Sequence, residues 1–218
     1  MTTLRALHED AHLLVFDKPA GLLCVPGRGD DKQDCLSARA LARWPDALVV
    51  HRLDMSTSGL VMMARDARTQ RALGDAFACR EVHKRYEAIV DGAPDDNCDH
   101  DHDSQAWSLI DLPLMADWPR RPMQKTDPAG KPSLTRWRML ERLPHRGATR
   151  LLLEPKTGRT HQLRVHLAAI GNPILGDALY GDARVYHAAE RLLLHASVLQ
   201  LRHPVSGQAL RFESAAPF

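Results

Sequence analysis

The amino-acid sequence predicts a mixed α+β domain built around one large sheet. Short apolar runs of strand length recur along the chain, and they outnumber the segments with helical periodicity. The chain has 218 residues, of which 44% are hydrophobic, so it is long enough to bury a full core. It contains no internal repeat and no segment with the composition of a linker. We therefore expect a single domain that spans residues 1–218.

The first part of the chain is expected to supply three strands and one helix. The strands are predicted at 13–16, 48–53 and 59–64, where apolar residues run together. A turn with the sequence DKPAG ends the first strand, because Pro and Gly favour turns. The helix is predicted to follow Asp66 as its N-cap, with Leu73 and Phe77 four residues apart on its buried face.

The middle of the chain adds a strand, a polar loop and two further strands. The run VHKRYEAIVDG predicts a strand in which Lys84, Tyr86 and Ala88 share one face, and Gly92 ends it. Residues 93–108 are polar and acidic without periodicity, so we predict an exposed loop there. The two further strands are predicted near 133–141 and 148–154.

The last part of the chain combines a helix with a hairpin. The run TGRTHQLRVHLAAIGNP predicts a turn followed by a helix, which has Thr160 as its N-cap and is ended by Gly171 and Pro173. The residues predicted to face inward from this helix are Leu163, Leu167 and Ile170. A strand at 192–201 and a hairpin through HPVSGQ complete the predicted domain.

The composition excludes several classes of protein. There are 29 Lys and Arg against 27 Asp and Glu, and the resulting net charge of +2 is not that of a protein coated in basic charge. Arg residues nevertheless cluster at 120–121, 136–138 and 159–164, which favours selective binding of a polyanion. The four cysteines show no CxxC spacing, which indicates reduced thiols. No signal-peptide pattern and no apolar run of membrane-spanning length occurs, so we expect a soluble, cytoplasmic protein.

The stretch HRLDMSTSGL, residues 51–60, is the first candidate for a functional site. It places Arg52 and Asp54 directly after an apolar run, and a Ser/Thr/Gly turn follows at once. Buried charge is costly unless it is paired or takes part in chemistry. The simplest alternative is a surface turn with a local ion pair.

Two other segments carry residues suited to binding a polyanion. On the predicted C-terminal helix, His161 and Arg164 share a face because they are three residues apart, and Arg164 is expected to present its guanidinium to a carboxylate. A solvated helix Arg is the alternative. The turn that contains Arg159 has backbone N–H groups that could hold a phosphate. Tyr86 beside Lys84 suits a base-stacking platform next to a phosphate contact, and the alternative is an ordinary strand Tyr.

Metal and serine-hydrolase chemistry are not expected. Cys98, His100 and His102 lie together in the acidic segment 95–103, where they could bind zinc adventitiously. No HExxH motif is present, and the two histidines of the C-terminal helix are five residues apart and do not share a face. The Ser/Thr turn after the HRLD motif has no GxSxG sequence around it.

The motifs together resemble the RluA-type family of pseudouridine synthases. They are HRLDMSTSGL, KRYEAIV and GRTHQLRVHLAAIGNPILGD, and the order HRLDxxTSG then GRTHQLRVH is highly specific. The resemblance extends from LLVFDKPAGLLCVPG to RLLLHASVLQLRHPVSG, which is nearly the whole chain. The segment DLPLMADWPRRPMQK makes the chain most similar to the members that modify both 23S rRNA and the tRNA anticodon stem-loop. The acidic residues 95–103 depart from the family pattern.

The resemblance implies a fold and a reaction. The fold is the pseudouridine synthase fold, a mixed, mostly antiparallel central sheet with a catalytic cleft and flanking helices. The reaction isomerises specific uridines to pseudouridine in structured RNA. Because it involves no redox step and no group transfer between molecules, we expect no cofactor. The expected partners are 23S rRNA, a tRNA stem-loop or both. We expect neither a membrane association nor an obligate protein partner, but a monomer made of one catalytic domain without an N-terminal RNA-binding domain.

The resemblance also implies roles for individual residues. Asp54 matches the nucleophile, which attacks either the uracil ring or the sugar carbon. Arg164 matches the Arg that orients this carboxylate, and Arg52 matches the Arg that fills the gap left when the target nucleotide flips out. Tyr86 matches the aromatic residue that stacks on the flipped base, and Leu194 matches an apolar residue of the base pocket. Further RNA contacts are expected from Lys84, Arg159 and His161.

Two alternative functions remain at this point. One is an RNA-binding or RNA-folding module without catalysis, which would release no tritium from RNA that carries 5-tritiated uridine. The other is a glycoside or nucleoside hydrolase built on paired carboxylates, but no second acid stands out near Asp54. The sequence does not indicate which uridine is modified.

Overall fold

The structure, a computed structural model, describes residues 5–95 and 107–218. Residues 96–106, which make up most of the predicted loop at 93–108 and nearly all of the acidic segment 95–103, therefore lie outside the described residues.

The chain divides into two compact units. The first unit comprises Met1–Lys84 and His195–Pro217, and the second comprises Arg85–Leu194 and Phe218. The single domain expected for residues 1–218 stays a prediction.

Strands provide most of the regular structure. In chain order they are β1 (Ala6–Glu9), β2 (Leu13–Lys18), β3 (Leu48–Val49), β4 (Ser58–Ala64), β5 (His83–Asp91), β6 (Ser108–Asp111), β7 (Leu114–Ala116), β8 (Gln124–Thr126), β9 (Leu134–Leu143), β10 (Ala148–Pro155), β11 (Leu194–Arg202) and β12 (Ala209–Glu213). The helices are α1 (Leu36–Leu41), α2 (Ala67–Ala78), α3 (Gln162–Ala169) and α4 (Ala183–His187). Among the helices of the described ranges, none has both the length and the apolar composition of a membrane span.

The sheet of the first unit is mixed. Antiparallel pairing joins β1 to β2, β2 to β4, β3 to β4 and β11 to β12, whereas β11 runs parallel to β4. Every residue of β4 is buried, as expected for a strand covered on both faces. Helix α2 begins after Asp66, whose carboxylate accepts the Thr69 N–H at 2.7 Å, and it buries Leu73. The predicted N-cap and buried face are thus confirmed.

The parallel pair requires a glycine on β4. Gly59 lies opposite Ala196 with a φ of 110°, and a Cβ atom at Gly59 would come within 2.4 Å of the Ala196 carbonyl oxygen. The TSG part of the motif therefore includes a position at which two backbones approach too closely for a side chain.

The predicted strand at 48–53 is wrong in extent, because β3 ends at Val49. The antiparallel pairing with β4 would continue at Met62, but the Met62 N–H donates to His51 Nε2 at 3.0 Å instead of to a backbone carbonyl. The Leu53 N–H donates to Cys24 Sγ at 3.2 Å. Side-chain acceptors thus replace the sheet hydrogen bonds, and the chain leaves the sheet before it reaches Asp54.

The sheet of the second unit is antiparallel, with β10 between β5 and β9 and with β6 on the far side of β9. The strands predicted near 133–141 and 148–154 are confirmed. The short β7–β8 hairpin forms a separate pair. One face of this sheet buries Trp137, Leu151 and Leu153 against the apolar side chains of α3.

Helix α3 differs from the prediction at its start. Thr160 is not the N-cap, since His161 occupies that position with a positive φ of 54°. The Gln162 side chain organises the preceding turn, because its Oε1 accepts the Arg159 N–H at 3.0 Å and the Thr157 hydroxyl at 2.7 Å. The end of the helix is as predicted, with Gly171 in the left-handed region.

Candidate active site

The turn that carries Asp54 is held by backbone contacts within the first unit. The Thr57 N–H donates to the Asp54 carbonyl at 3.1 Å, which closes the turn between β3 and β4. The Leu53 N–H is fixed by the buried Cys24 thiol, whose pKa is raised mainly by burial. Asp54 itself is half-buried, and Arg52 is exposed. Backbone contacts therefore hold the turn on both sides of Asp54.

Lys18 is a buried cation beneath this turn, and the sequence analysis missed it. The residue is completely inaccessible to solvent, and its Nζ donates to the carbonyls of Pro19, Leu22 and Met55 at 2.8, 2.7 and 3.1 Å. The Gly21 N–H also donates to the Met55 carbonyl, at 2.8 Å. A buried ammonium needs this number of acceptors. Lys18 therefore fixes the residue that follows Asp54, and the only signal in the sequence was a Lys within the apolar run LLVFDK.

His51 and Lys84 share an apolar environment that lowers the pKa of both side chains. Burial, with a contribution from the charge of Lys84, lowers the pKa of His51 to about 3. His51 is therefore neutral near pH 7, as it must be to accept the Met62 N–H on Nε2. Both residues contact the ring of Phe77, His51 with ring centroids 4.6 Å apart and Lys84 Nζ at 5.6 Å. His51 thus has a structural role.

A chain of hydrogen bonds anchors the start of β4. Ser58 Oγ lies 2.8 Å from His195 Nδ1, His195 Nε2 lies 3.0 Å from Ser214 Oγ, and Ser214 Oγ donates to Asp17 at 2.5 Å. Ser58 and His195 are both buried, at 3% and 1% exposure. A serine nucleophile needs an accessible hydroxyl. We therefore interpret the chain as structural support for the turn, in agreement with the absence of a serine-hydrolase motif.

Arg164 lies in a buried ion pair of the second unit. Its Nε and Nη2 donate to the two carboxylate oxygens of Asp177 at 2.8 and 2.6 Å, which is the bidentate geometry. Arg164 is only 4% exposed, and every residue from Gln162 to Leu167 is buried. The alternative of a solvated helix Arg is therefore wrong, and the inward positions of Leu163 and Leu167 are confirmed. The guanidinium is rigidly oriented, as a residue that aims another group must be.

His161 and Arg164 meet at Tyr180, another residue that the sequence analysis missed. The Tyr180 hydroxyl lies 2.7 Å from His161 Nδ1 and accepts the Gln124 N–H at 2.8 Å. The Arg164 guanidinium lies 5.2 Å from the centre of the Tyr180 ring. The predicted common face of His161 and Arg164 is thus confirmed. Because Gln124 belongs to β8, the same hydroxyl also fixes the β7–β8 hairpin.

Tyr86 and Leu194 belong to one apolar cluster in the second unit. Tyr86 lies on β5 opposite Leu153 and packs against the cluster while remaining half-buried. Leu194 is part of the cluster itself and is 3% exposed. The structure thus places an aromatic ring and a predicted pocket residue in one apolar environment. Arg159 is exposed in the turn before α3.

The β7–β8 hairpin carries an exposed aromatic residue that was also missed. Trp118 is 65% exposed, and the Arg121 guanidinium lies 3.9 Å from the centre of its ring. Arg120 is paired with Asp117. An exposed aromatic ring stacked with a guanidinium is suited to contact nucleotides.

We expect activity to be insensitive to EDTA on a short RNA stem-loop. Within residues 5–95 and 107–218, no cluster of three or more His, Cys, Asp or Glu side chains is arranged to hold a metal. Cys98, His100 and His102 lie outside the described residues. The expectation rests on the ligand spacing in the sequence and on a reaction that needs no metal. Loss of activity in EDTA and its recovery with zinc would contradict it.

Comparison with known proteins identifies the family. Residues 12–169 match the family model described as RNA pseudouridylate synthase. The chain belongs to this family. The match contains the HRLD turn, β5 and the whole of α3. The chain is therefore an RNA pseudouridine synthase, an isomerase that converts uridine in RNA to pseudouridine.

Individual relatives of this pseudouridine synthase cover nearly all of the chain. It is 43% identical over 216 residues to "Dual-specificity RNA pseudouridine synthase RluA" of Escherichia coli O6:H1, which covers 99% of this chain and 94% of that protein. A protein of the same name from Vibrio vulnificus is 45% identical over 204 residues, covering 92% and 78% of the two chains.

Solved structures confirm the pseudouridine synthase fold. The human RNA pseudouridylate synthase domain containing 1 matches with a TM-score of 0.78 and 28% identity, over 99% of this chain and 84% of that one. The human RNA pseudouridylate synthase domain containing 4 matches with a TM-score of 0.74 and 23% identity, over 97% of this chain and 88% of that one. At this identity the match shows the fold alone. The predicted fold class, a mixed and mostly antiparallel sheet with flanking helices, is thus confirmed.

Proposed function

We propose that this pseudouridine synthase modifies two kinds of RNA, 23S rRNA and the anticodon stem-loop of tRNA. The observation that carries the proposal is the 43% identity, over 94% of its length, to a relative from Escherichia coli that is named as a dual-specificity enzyme. The segment DLPLMADWPRRPMQK points in the same direction. It forms the β7–β8 hairpin, whose exposed Trp118 and stacked Arg121 are suited to contact an RNA loop.

We propose that Asp54 is the nucleophile of the reaction. The glycosidic bond between N1 of uracil and C1′ of ribose breaks, the base turns over, and C5 bonds to the same C1′. The hydrogen on C5 leaves as a proton, and N1 gains one, so no oxidant or co-reactant is needed. The attack of Asp54 on the uracil ring and its attack on the sugar carbon are both compatible with this balance. Support comes from the motif match and from a half-buried carboxylate on a turn fixed by Lys18.

Other residues are proposed to prepare the substrate. Arg164 orients the Asp54 carboxylate, a role that suits a buried guanidinium held rigidly by Asp177. Tyr86 stacks on the flipped uracil, and Leu194 contributes an apolar wall to the base pocket. Arg52, which is exposed, fills the gap in the RNA. Lys84, Arg159 and His161 are proposed as further RNA contacts. The enzyme is proposed to act in the cytoplasm as a monomer and without a cofactor.

The two-substrate proposal predicts a specific pattern of lost modifications. In a strain that lacks this protein, mapping of pseudouridines in total RNA is expected to show a loss in 23S rRNA and a loss in a tRNA anticodon stem-loop. The purified protein should restore both sites on RNA from that strain. Restoration of the rRNA site alone would contradict the dual specificity but not the isomerase activity.

A further inference from the structure

A row of charged residues crosses the sheet of the second unit. Arg136 and Arg138 are two residues apart on β9, so they point to the same face. Glu154 of β10 lies opposite Arg136, and Arg85 of β5 approaches Glu154 to 3.4 Å. Tyr86, the neighbour of Arg85, points to the opposite face, as successive residues of a strand do. The row therefore lies on the face of this sheet away from the candidate stacking residue.

Trp107 brings three guanidinium groups together on this face. Its ring centre lies 4.7 Å from Arg136, 5.4 Å from Arg138 and 5.9 Å from Arg85. Trp107 precedes β6, on which Leu109 lies opposite Arg136 and is 62% exposed. We call the cluster the Trp107 patch, and it consists of Arg85, Trp107, Arg136, Arg138, Glu154 and Lys156.

The Trp107 patch carries an excess of positive charge. Its carboxylate, Glu154, is contacted by Lys156, by Arg85 at 3.4 Å and by Arg136 at 3.6 Å. Burial acts to raise the pKa of Glu154, but these cations lower it overall, so the carboxylate is ionised at neutral pH. The patch thus contains four cations and one anion, and three of the cations contact that anion. One carboxylate aligns several cations without neutralising them, and such an arrangement attracts a polyanion.

Arg138 is a half-buried member of the Trp107 patch. Its Nε is buried. Among the described residues, this atom is a buried side-chain nitrogen that lacks a hydrogen-bond partner. A buried, unpaired guanidinium N–H is costly. The Arg138 guanidinium lies 5.4 Å from the centre of the Trp107 ring, and a guanidinium beside an indole is suited to contact an RNA backbone.

We propose that the Trp107 patch binds the sugar–phosphate backbone of the RNA substrate at a distance from the target nucleotide. The inference rests on the proposed function for the identity of the RNA. Arginine forks match phosphate oxygens, and an aromatic ring beside them accommodates a base or sugar of any sequence. Because Tyr86 lies on the opposite face of this sheet, the contact requires RNA that extends beyond the target loop. The patch thus adds affinity for large substrates rather than selecting the uridine.

The test is RNA binding by the double variant R136Q/R138Q, measured by fluorescence anisotropy at several salt concentrations. The RNAs are a minimal anticodon stem-loop and the full-length tRNA with the same loop. For full-length tRNA, Kd is expected to rise about tenfold or more at low salt, and the slope of log Kd against log salt concentration is expected to fall by roughly 2. For the minimal stem-loop, both quantities are expected to change little.

A matched control also removes two positive charges, one near the end of β9 and one in the turn that follows β9. R142Q/R146Q replaces two exposed arginines near the end of β9, and it is expected to leave both slopes close to wild type. R136K/R138K keeps the charge and should recover most of the salt slope. Melting temperatures of all variants identify a folding defect, and a defect that explains the loss would weaken binding of both RNAs equally.

Three results would overturn the inference. They are unchanged binding of full-length tRNA by R136Q/R138Q, an equal loss for the two RNAs, and an equal loss for the R142Q/R146Q control. The inference is separable from the proposed function, because binding is measured without turnover. If wild type binds tRNA through the patch but does not modify it, the proposed substrate is wrong and the patch is confirmed.

Discussion

Replacing Asp54 with Asn is expected to reduce the rate of isomerisation by roughly 10⁴-fold or more, as expected for loss of a catalytic nucleophile. The amide has nearly the same shape as the carboxylate but cannot form the covalent bond that the reaction needs. The hydrogen bonds of the Asp54 carbonyl, the Leu53 N–H and the Met55 carbonyl hold the turn, and an amide of the same shape keeps these three contacts. Affinity for RNA and the melting temperature should therefore remain close to those of wild type.

The measurement for Asp54→Asn is the single-turnover rate at saturating enzyme, with RNA affinity determined separately. Asp46→Asn is a suitable control in the same unit, because Asp46 is a surface carboxylate paired with Arg65 at 2.9 Å. This control is expected to keep the full rate. A rate for Asp54→Asn within tenfold of wild type would show that Asp54 is not the nucleophile.

Replacing Arg164 is expected to impair both stability and activity. Arg164→Met leaves the buried Asp177 carboxylate without its cation, which should lower the free energy of unfolding by about 3–5 kcal/mol. Arg164→Lys keeps the charge, but one ammonium cannot reproduce the bidentate contact. We therefore expect Arg164→Lys to fold with reduced stability and to react slowly on every RNA.

Arg52 provides the contrast to Arg164. It is exposed, so Arg52→Lys should leave the melting temperature unchanged. Its proposed work is to offset the few kcal/mol that base flipping costs, so its loss should be partly rescued by an RNA whose loop is already unstacked. The separate roles of Arg52 and Arg164 are tested by the single-turnover rates of both Lys variants, measured on a folded stem-loop and on a destabilised one. Equal rescue of both variants, or of neither, would mean that the roles are not separated in this way.

The elements that were predicted correctly are those whose pattern is local. The apolar run of β2, the Asp66 cap of α2 and the Gly171 end of α3 are each specified within a few residues. The errors arose where a side chain rather than a backbone carbonyl accepts a backbone N–H. His51 takes the hydrogen bond that would have extended β3, and Gln162 organises the turn in which Thr160 was expected to act as the cap.

The candidate site shows the same limit. The motifs identify Asp54 and Arg164, but their supporting residues have no local signal. Asp177 is 13 residues from its partner Arg164. His195 is 137 residues from Ser58, and only the fold makes these two side chains adjacent. Spacing alone also left open whether Arg164 is solvated or paired, because its partner Asp177 lies outside the helix.

The most direct test of uridine isomerisation through Asp54 is tritium release from RNA that carries 5-tritiated uridine. Formation of the carbon–carbon bond at C5 expels the tritium, whereas binding or hydrolysis of the glycosidic bond leaves it on the base. Wild-type protein is expected to release one tritium for each pseudouridine formed, and Asp54→Asn is expected to release none above background while still binding the RNA. Tritium release by Asp54→Asn at the wild-type rate would contradict the role of Asp54. Wild-type protein that binds the RNA but releases no tritium would contradict isomerisation itself.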